Sequence, residues 1–561
     1  MKRVKILTAV AVLCSITLTS CVNDLNTEPI DPNIKQTFDA RMVYNKIYAS
    51  LGISGQTGPD GDCDIVANDE GYSVWYRLIC VHNEFPADGG WWIWNSDAGC
   101  SNILETSWDE ANPFVKLLYN RLTFNITLCN HYFDNTGGNP EGLDEAISDK
   151  DLHTRRAEVR CIRAMHYFYM MDFFGNPPFF TTVSNDYPRQ IEGGRPALFK
   201  WIESELKACE TTLSETGSYY RVHQDVATLL LARLYLNAEV YTGEPMYGEA
   251  AKRAKQIADK YPLAPEYSYL FMGDNDHNGA EQEVLFAIAQ DGVQTESWGG
   301  SSFWVAASRN TSMLPSGSND GWTCWRSSPE LIQLFEKASI AKSIKANEKE
   351  MPAILGDDRA LFCSQVKDNE KDSVIYTAAF AGPAEYGSGN FEKCWAICKW
   401  TGVYSTGELK GGHDKFVDTD IPFFRAAEAY LTYAEAAFRI GETSEAEIYM
   451  QKVRDRANCT KSIEEIGGVC ERTLMDEWQR EFYSEGRRRM DLIRFGAFTG
   501  RGSGAAVASK TDIHYHWEGR GRIASGPSVA STVDDKYKLY PIPSSDRVAN
   551  PNLTYDGCFK D

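Results

Sequence analysis

The stretch Asp88-Gly89-Gly90-Trp91-Trp92-Ile93-Trp94-Asn95 puts three indoles within four residues, behind two glycines and between two polar side chains. Adjacent side chains on an extended strand point to opposite faces. At least one of Trp91 and Trp92 therefore faces solvent or a groove. An open indole offers a flat, polarisable face to a ligand with an apolar C–H surface. Asp88 and Asn95 can satisfy hydroxyls around its edge. A second aromatic cluster, Trp298, Trp304, Trp322 and Trp325, stands among Gly299-Gly300 and Ser301-Ser302 and could extend such a surface.

Metal and bond-breaking chemistry find less support. Asp274, Asp276 and Asn278 match the first half of a calcium loop. Its twelfth position is Leu285, where a bidentate Glu is needed. His514 and His516 lack a third ligand, and Cys394 and Cys398 lack a second Cys/His pair. No cofactor is expected. Glu481 and Glu485 lie four apart, close enough for glycosidase work. Their Arg-rich surroundings would keep both ionised, which is wrong for a general acid.

These residues need a frame. The chain has 561 residues, 43% of them hydrophobic, and a formal charge of −21. That composition is that of a folded protein, and the acidity argues against a nucleic-acid partner. Lys2, Arg3 and Lys5 precede an apolar run from Ile6 to Leu18 that ends in Ser20-Cys21, the pattern of a secretory signal. A small residue before a Cys at that place resembles a bacterial lipobox, making Cys21 the lipid-attachment residue. Residues 1–20 are then a signal peptide and 21–35 a polar tether. No later apolar run is long enough to span a membrane. Fifteen cysteines, less those of the signal and the lipid, leave an odd number. Cys63/Cys80 and Cys459/Cys470 are close enough to pair, with connectivity left open.

Helical periodicity marks about 36–51, 109–133, 153–174, 196–214, 224–242, 247–261, 422–440, 443–458, 471–484 and 486–495. Ala238, Tyr241, Ala250, Ala254, Ile257 and Pro262 have tetratricopeptide spacing, and Ala434 and Ala446 repeat the twelve-residue interval. Alanine at a helix crossing lets two helices approach closely. The expected fold is mostly α, with tetratricopeptide-like helix pairs as a scaffold over about 36–261 and 422–500. A loop-rich cap of short strands and irregular segments occupies about 262–421 and 500–561, with a helix near 328–348. Together 36–561 form one domain.

Several segments resemble the SusD/RagB family of surface lipoproteins from Bacteroidota. They are Asp24-Leu25-Asn26-Thr27-Glu28-Pro29, Arg156 to Phe168 with Phe174-Gly175-Asn176-Pro177-Pro178, Ala227 to Tyr241, and Ile421 to Ala436. To these add Arg480 to Gly496 and Tyr540-Pro541-Ile542-Pro543. Trp478 and Arg489 depart from the usual pattern. The resemblance implies a non-enzymatic protein, lipid-anchored on the outer membrane and exposed at the cell surface. It would capture oligo- or polysaccharide and pass it to a SusC-like TonB-dependent transporter. Similarity to the family's starch-binding founder singles out an Asp, an Arg eight residues on and a Trp fifteen beyond, which are Asp69, Arg77 and Trp92. The alternatives are a surface glycoside hydrolase, for which Asp69, Glu70 and Asp88 lie near the aromatics, and a purely structural transporter-assembly protein.

Overall fold

The structure is a computed structural model. It describes residues 38–56, 58–59, 63–92, 94, 97–137, 143, 147–215, 217–309, 316–335, 356–364, 395–409, 415–499 and 533–553. Cys21, the signal and tether, Asn95, His514, His516 and Cys394 lie outside the described residues, as does the part of the expected 328–348 helix beyond residue 335.

The helices in chain order are α1 Ala40–Ala49, α2 Trp75–Glu84, α3 Cys100–Leu104, α4 Pro113–Thr136, α5 Asp149–Phe174, α6 Gly194–Thr212, α7 Gln224–Leu236 and α8 Ala238–Thr242. They continue with α9 Tyr247–Lys260, α10 Ser301–Ser308, α11 Pro329–Gln333, α12 Ala426–Arg439, α13 Thr443–Arg456, α14 Glu471–Phe482, α15 Arg488–Arg494 and α16 Ser544–Ala549. Local chemistry sets their ends. Asn112 accepts from the backbone N–H groups of Phe114 (2.9 Å) and Val115 (3.2 Å), with Pro113 in the first turn of α4. Gly441, at a φ of 90°, makes the short turn between α12 and α13.

The long helices stack in succession: α4 on α5, α5 on α6, α6 on α7, α7 on α9, α9 on α12 and α12 on α13. Ala238, Ala250, Ala254, Ala434 and Ala446 are all sealed inside this stack, as the repeat spacing requires. The mostly helical, tetratricopeptide-like scaffold expected from the sequence is what the chain forms. The step from α9 to α12 joins spatial neighbours separated by residues 261–425. Most of the cap is therefore one long excursion between two stacked helices, joined by β1 from residues 90–92. Its exit and return are tied by β4 (Val284–Ile288) and β8 (Ile421–Arg425), an antiparallel pair leading straight into α12.

The cap holds a four-stranded antiparallel sheet in the order β1-β5-β7-β6, from Gly90–Trp92, Trp325–Ser327, Trp395–Ile397 and Phe362–Ser364. A small ribbon, β2 (Pro178–Phe179) with β3 (Arg189–Gln190), lies outside it. Helices α2 and α10 escape sequence reading, and every residue of each is buried.

Cap and scaffold meet across a buried ionic seam around α14. Arg359 donates to Glu477 (2.7 Å), Glu481 (3.2 Å) and Asp357 (2.8 Å). Arg425 donates to Glu481 (2.6 Å), Glu283 (2.9 Å) and Glu485 (2.7 Å). Lys399 donates to Glu485 at 2.6 Å. Burial pushes the Glu481 carboxyl up, but Arg456, Arg425 and Arg359 outweigh it and bring it to about 2. Glu481 therefore stays ionised and serves as a tie between elements. The departures noted in this block are packed and paired. Trp478 donates to Glu435 (2.7 Å) and Arg489 to Asp172 (2.8 Å).

Candidate functional site

Pairing of β1 with β5 sets Gly90 opposite Ser327 and Trp92 opposite Trp325. Trp94 and Trp322 lie just past the same end of that ladder, so they meet. Their ring centroids are 6.0 Å apart, with planes inclined by 36°. Trp298 joins from a third segment, 4.7 Å from Trp322 and 4.6 Å from Phe416. Trp94, Trp322 and Trp298 are all half-buried. They form a bent run of three indoles, each partly exposed to solvent.

The layer beneath fixes them. Trp92 is 3% exposed, stacks on Phe85 and meets Trp94 edge-on at 5.7 Å. Its indole N–H donates to Asp97 at 3.0 Å. Phe303 backs both Trp92 (5.9 Å) and Trp322 (6.3 Å). The Arg77 guanidinium is sandwiched between the rings of Tyr72 (4.3 Å) and Phe303 (4.1 Å). It donates to the Trp298 carbonyl at 3.0 Å. Glu70 accepts the Trp298 backbone N–H (2.9 Å) and the hydroxyls of Ser297 (2.8 Å) and Ser54 (2.6 Å). Both backbone groups of Trp298 are thus held by charged side chains, which makes charge-assisted bonds.

Two glycines permit this closeness. A Cβ on Gly71 would overlap the Trp298 carbonyl and the Arg77 guanidinium, and one on Gly299 would overlap Val74. Asp69 caps the short turn beside Arg77, accepting from Gly71 N–H at 2.9 Å, 3.6 Å from the guanidinium. Its side chain remains 41% exposed. Asp97, on the Trp92 indole, and Asp69, beside Arg77, are acceptors in this neighbourhood. Burial pushes the Tyr72 hydroxyl well above its ordinary range, so it stays a neutral donor, and Asp97 adds to the rise.

Several sequence expectations need correction. Trp304 is 1% exposed, wedged between Phe303 and Trp325, and offers no open face. Trp92 is floor rather than surface. Trp91 is half-buried on the opposite face of β1, as strand alternation demands. Asp88 is buried in a bidentate pair with Arg488 (2.7 and 2.8 Å), so it latches β1 to α15 and cannot reach a ligand. Arg77 is buried and acts on Trp298. Glu70 is filled by its three donors. The facing carboxylates that a hydrolase needs are therefore not found among Asp69, Glu70 and Asp88.

The Asp274 loop is closed by its own hydrogen bonds. Asp274 accepts from the Ser405 N–H (2.9 Å), the Ser405 hydroxyl (2.5 Å) and Asn278 (3.2 Å). The Asn278 oxygen accepts from Ala280 N–H at 3.0 Å. Among the described residues no group of three His, Cys, Asp or Glu side chains could hold a metal ion. Cys80, Cys459 and Cys470 are unpaired thiols, so neither suggested disulfide forms. Burial raises the Cys459 thiol to about 12, which leaves it inert. Sequence reading missed Asp97, Tyr72, Phe303 and Phe416. None carries a local motif, and only the fold brings them to the indoles.

A helix-repeat scaffold carrying a cap with a half-open indole run defines a class of ligand-platform proteins. A model of the SusD family matches residues 282–555. The chain is 37% identical over 580 residues, 98% of each chain, to "Starch-binding protein SusD" of Bacteroides thetaiotaomicron. It is 22% identical over 405 residues, 69% of this chain and 70% of the relative, to "SusD-like protein P25" of Formosa agariphila. Its fold is similar to that of surface glycan-binding protein A from Bacteroides uniformis, with a TM-score of 0.62, 16% identity and coverage of 92% and 98%. It is also similar to surface glycan-binding protein A from Bacteroides thetaiotaomicron in complex with laminarihexaose, with a TM-score of 0.61, 16% identity and coverage of 92% and 98%. The chain belongs to the SusD family.

Proposed function

We propose that the chain is a non-enzymatic glycan-binding lipoprotein of the outer cell surface, which holds a glucan chain against Trp94, Trp322 and Trp298. The observation that carries this reading is the convergence of three half-open indoles from three separate segments, clamped from below and flanked by acceptors. A sugar ring has an apolar C–H face and a hydroxyl rim. The indoles take the first and Asp69 and Asp97 the second. No bond need break, and Asp69, Glu70 and Asp88 do not form a facing pair among the described residues. The starch-binding relative, at 37% identity over nearly the whole chain, makes an α-glucan the first candidate.

In this reading Cys21 carries the lipid that anchors the protein to the outer membrane. Captured oligo- or polysaccharide passes to a SusC-like TonB-dependent transporter below. The transporter step is tested by co-purification of a tagged mature protein with its barrel from membranes, where loss of the pair on Cys21→Ser would fit the anchored arrangement. Glycan capture is tested by affinity electrophoresis on amylopectin. Wild type should be retarded and Trp322→Ala should not, while a variant that runs like wild type removes Trp322 from the site.

A further inference from the structure

Away from the cap, the first half of α5 and the segment joining α6 to α7 enclose a cavity of about 290 Å3. That is near the lower end for small-ligand sites. It shares no residue with the indole run, and His223 supplies the ring among its described lining residues. Its walls include Thr154, Arg155, Glu158, Ser218 and Arg221, with Asp151 among them.

Glu158 organises it. This buried carboxylate accepts Nη2 of Arg221 at 2.8 Å and Nε at 3.1 Å, together with the hydroxyls of Tyr48 (2.6 Å) and Tyr44. Oε2 takes three of these donors and Oε1 one, and the bidentate pair fixes one edge of the Arg221 guanidinium. The other edge, Nη1, has no hydrogen-bond partner among the described residues. The Arg221 and Arg155 guanidinium carbons each lie 5.2 Å from the Tyr44 ring centroid, so two cations share one wall. Glu158 is the carboxylate paired with Arg221, while Asp151 is tied back to Ser148, which donates to it at 2.7 Å.

A pre-oriented guanidinium edge beside a second arginine suits a planar carboxylate. The Thr154 hydroxyl donates to Lys150 O (3.0 Å) and keeps its acceptor capacity, and Ser218 accepts from Tyr220 N–H (3.4 Å) and keeps its proton. Asp151 and the chain's negative charge oppose a dianion such as phosphate. We propose that this cavity is a second binding site, for one monosaccharide-sized ligand bearing a single carboxylate and several hydroxyls, an acid sugar of the uronate class. The carboxylate sits on the Nη1 edge of Arg221 with Arg155 beside it, and Thr154 and Ser218 meet hydroxyls.

Calorimetric titration of the mature protein with D-glucuronate, D-glucose and acetate tests this. Wild type and Trp322→Ala should bind glucuronate alike. Arg155→Ala should weaken it about tenfold or more, and Ser218→Trp should abolish it by filling the mouth. Equal binding of glucose overturns the carboxylate assignment, and equal binding of acetate overturns the sugar assignment. No saturable glucuronate binding, or binding kept in Ser218→Trp and lost in Trp322→Ala, overturns the site itself. Melting curves accompany each variant. Should Ser218→Trp misfold, Arg155→Ala, at a half-buried position, carries the test. Failure of the indole reading would leave these outcomes unchanged.

Discussion

The seam around α14 and the rim around Trp322 invert the usual placement of side chains in opposite ways. The seam takes Arg359, Arg425, Glu477 and Glu481 wholly out of water, and each is matched by at least two oppositely charged partners. The rim leaves three indoles partly exposed, although indoles are among the most valuable groups to bury. Buried charges cost desolvation and repay it only through geometry, so the seam acts as a register that locks cap to scaffold. Open indoles forgo burial, and a ligand can recover it. The residues of the first region should govern folding, and those of the second, binding.

Substitution in the seam should have an effect as large as any. Arg425→Ala leaves Glu283, Glu481 and Glu485 short of a counter-charge. It should lower the unfolding free energy by about 3–5 kcal/mol, read by chemical denaturation, while the folded fraction keeps its glycan affinity. An equal loss of affinity would mean that the two regions are not separable.

Next comes a pH effect beside the seam. Burial raises the Glu84 carboxyl from 4.5 to about 7, against the backbone N–H groups of Arg487 and Gly486 that lower it. Between those values the folded chain holds a proton that the unfolded chain has released. This stabilisation is complete below pH 4.5 and is lost as pH rises through 7, by up to about 3 kcal/mol. Burial brings His82 and His166 down to about 3, and they act in the opposite direction. Comparing unfolding curves of wild type and Glu84→Gln across this range isolates Glu84. The variant's stability relative to wild type should rise with pH.

At the rim the pattern should reverse. Trp322→Ala should cost about 1–3 kcal/mol of glycan affinity with little change in melting temperature. Trp304→Ala, one layer down, should cost about 3–5 kcal/mol of stability and leave affinity intact in the folded fraction. The smallest effect belongs to Glu70→Gln, which weakens the clamp on Trp298. About 1 kcal/mol of affinity should go, visible as faster dissociation.

The scaffold was legible in the sequence because its helices are amphipathic and their alanines recur at repeat spacing. Trp94, Trp298 and Trp322 were legible as a residue type in a glycine-rich setting. Which indoles stay open was not, because that depends on the β1–β5 register and on Phe303, 209 positions from Trp94. From the sequence Trp304 reads as freer than Trp322, whose place after Gly321 resembles a structural family position, and the structure reverses that order because α10, covered on all sides, seals Trp304. Asp88 looked like a ligand contact because its partner, Arg488, lies 400 residues away. That Glu481 and Glu485 stay ionised was legible in their Arg-rich block, but their partners Arg359, Lys399 and Arg425 come from distant segments and carry no local signal.

The account rests on glycan lying across the indole run, and calorimetric titration of maltoheptaose into wild type and the Trp94→Ala/Trp322→Ala double variant tests that most directly. Saturable binding by wild type and none by an equally stable double variant is the predicted result. Undiminished binding by the double variant would contradict it.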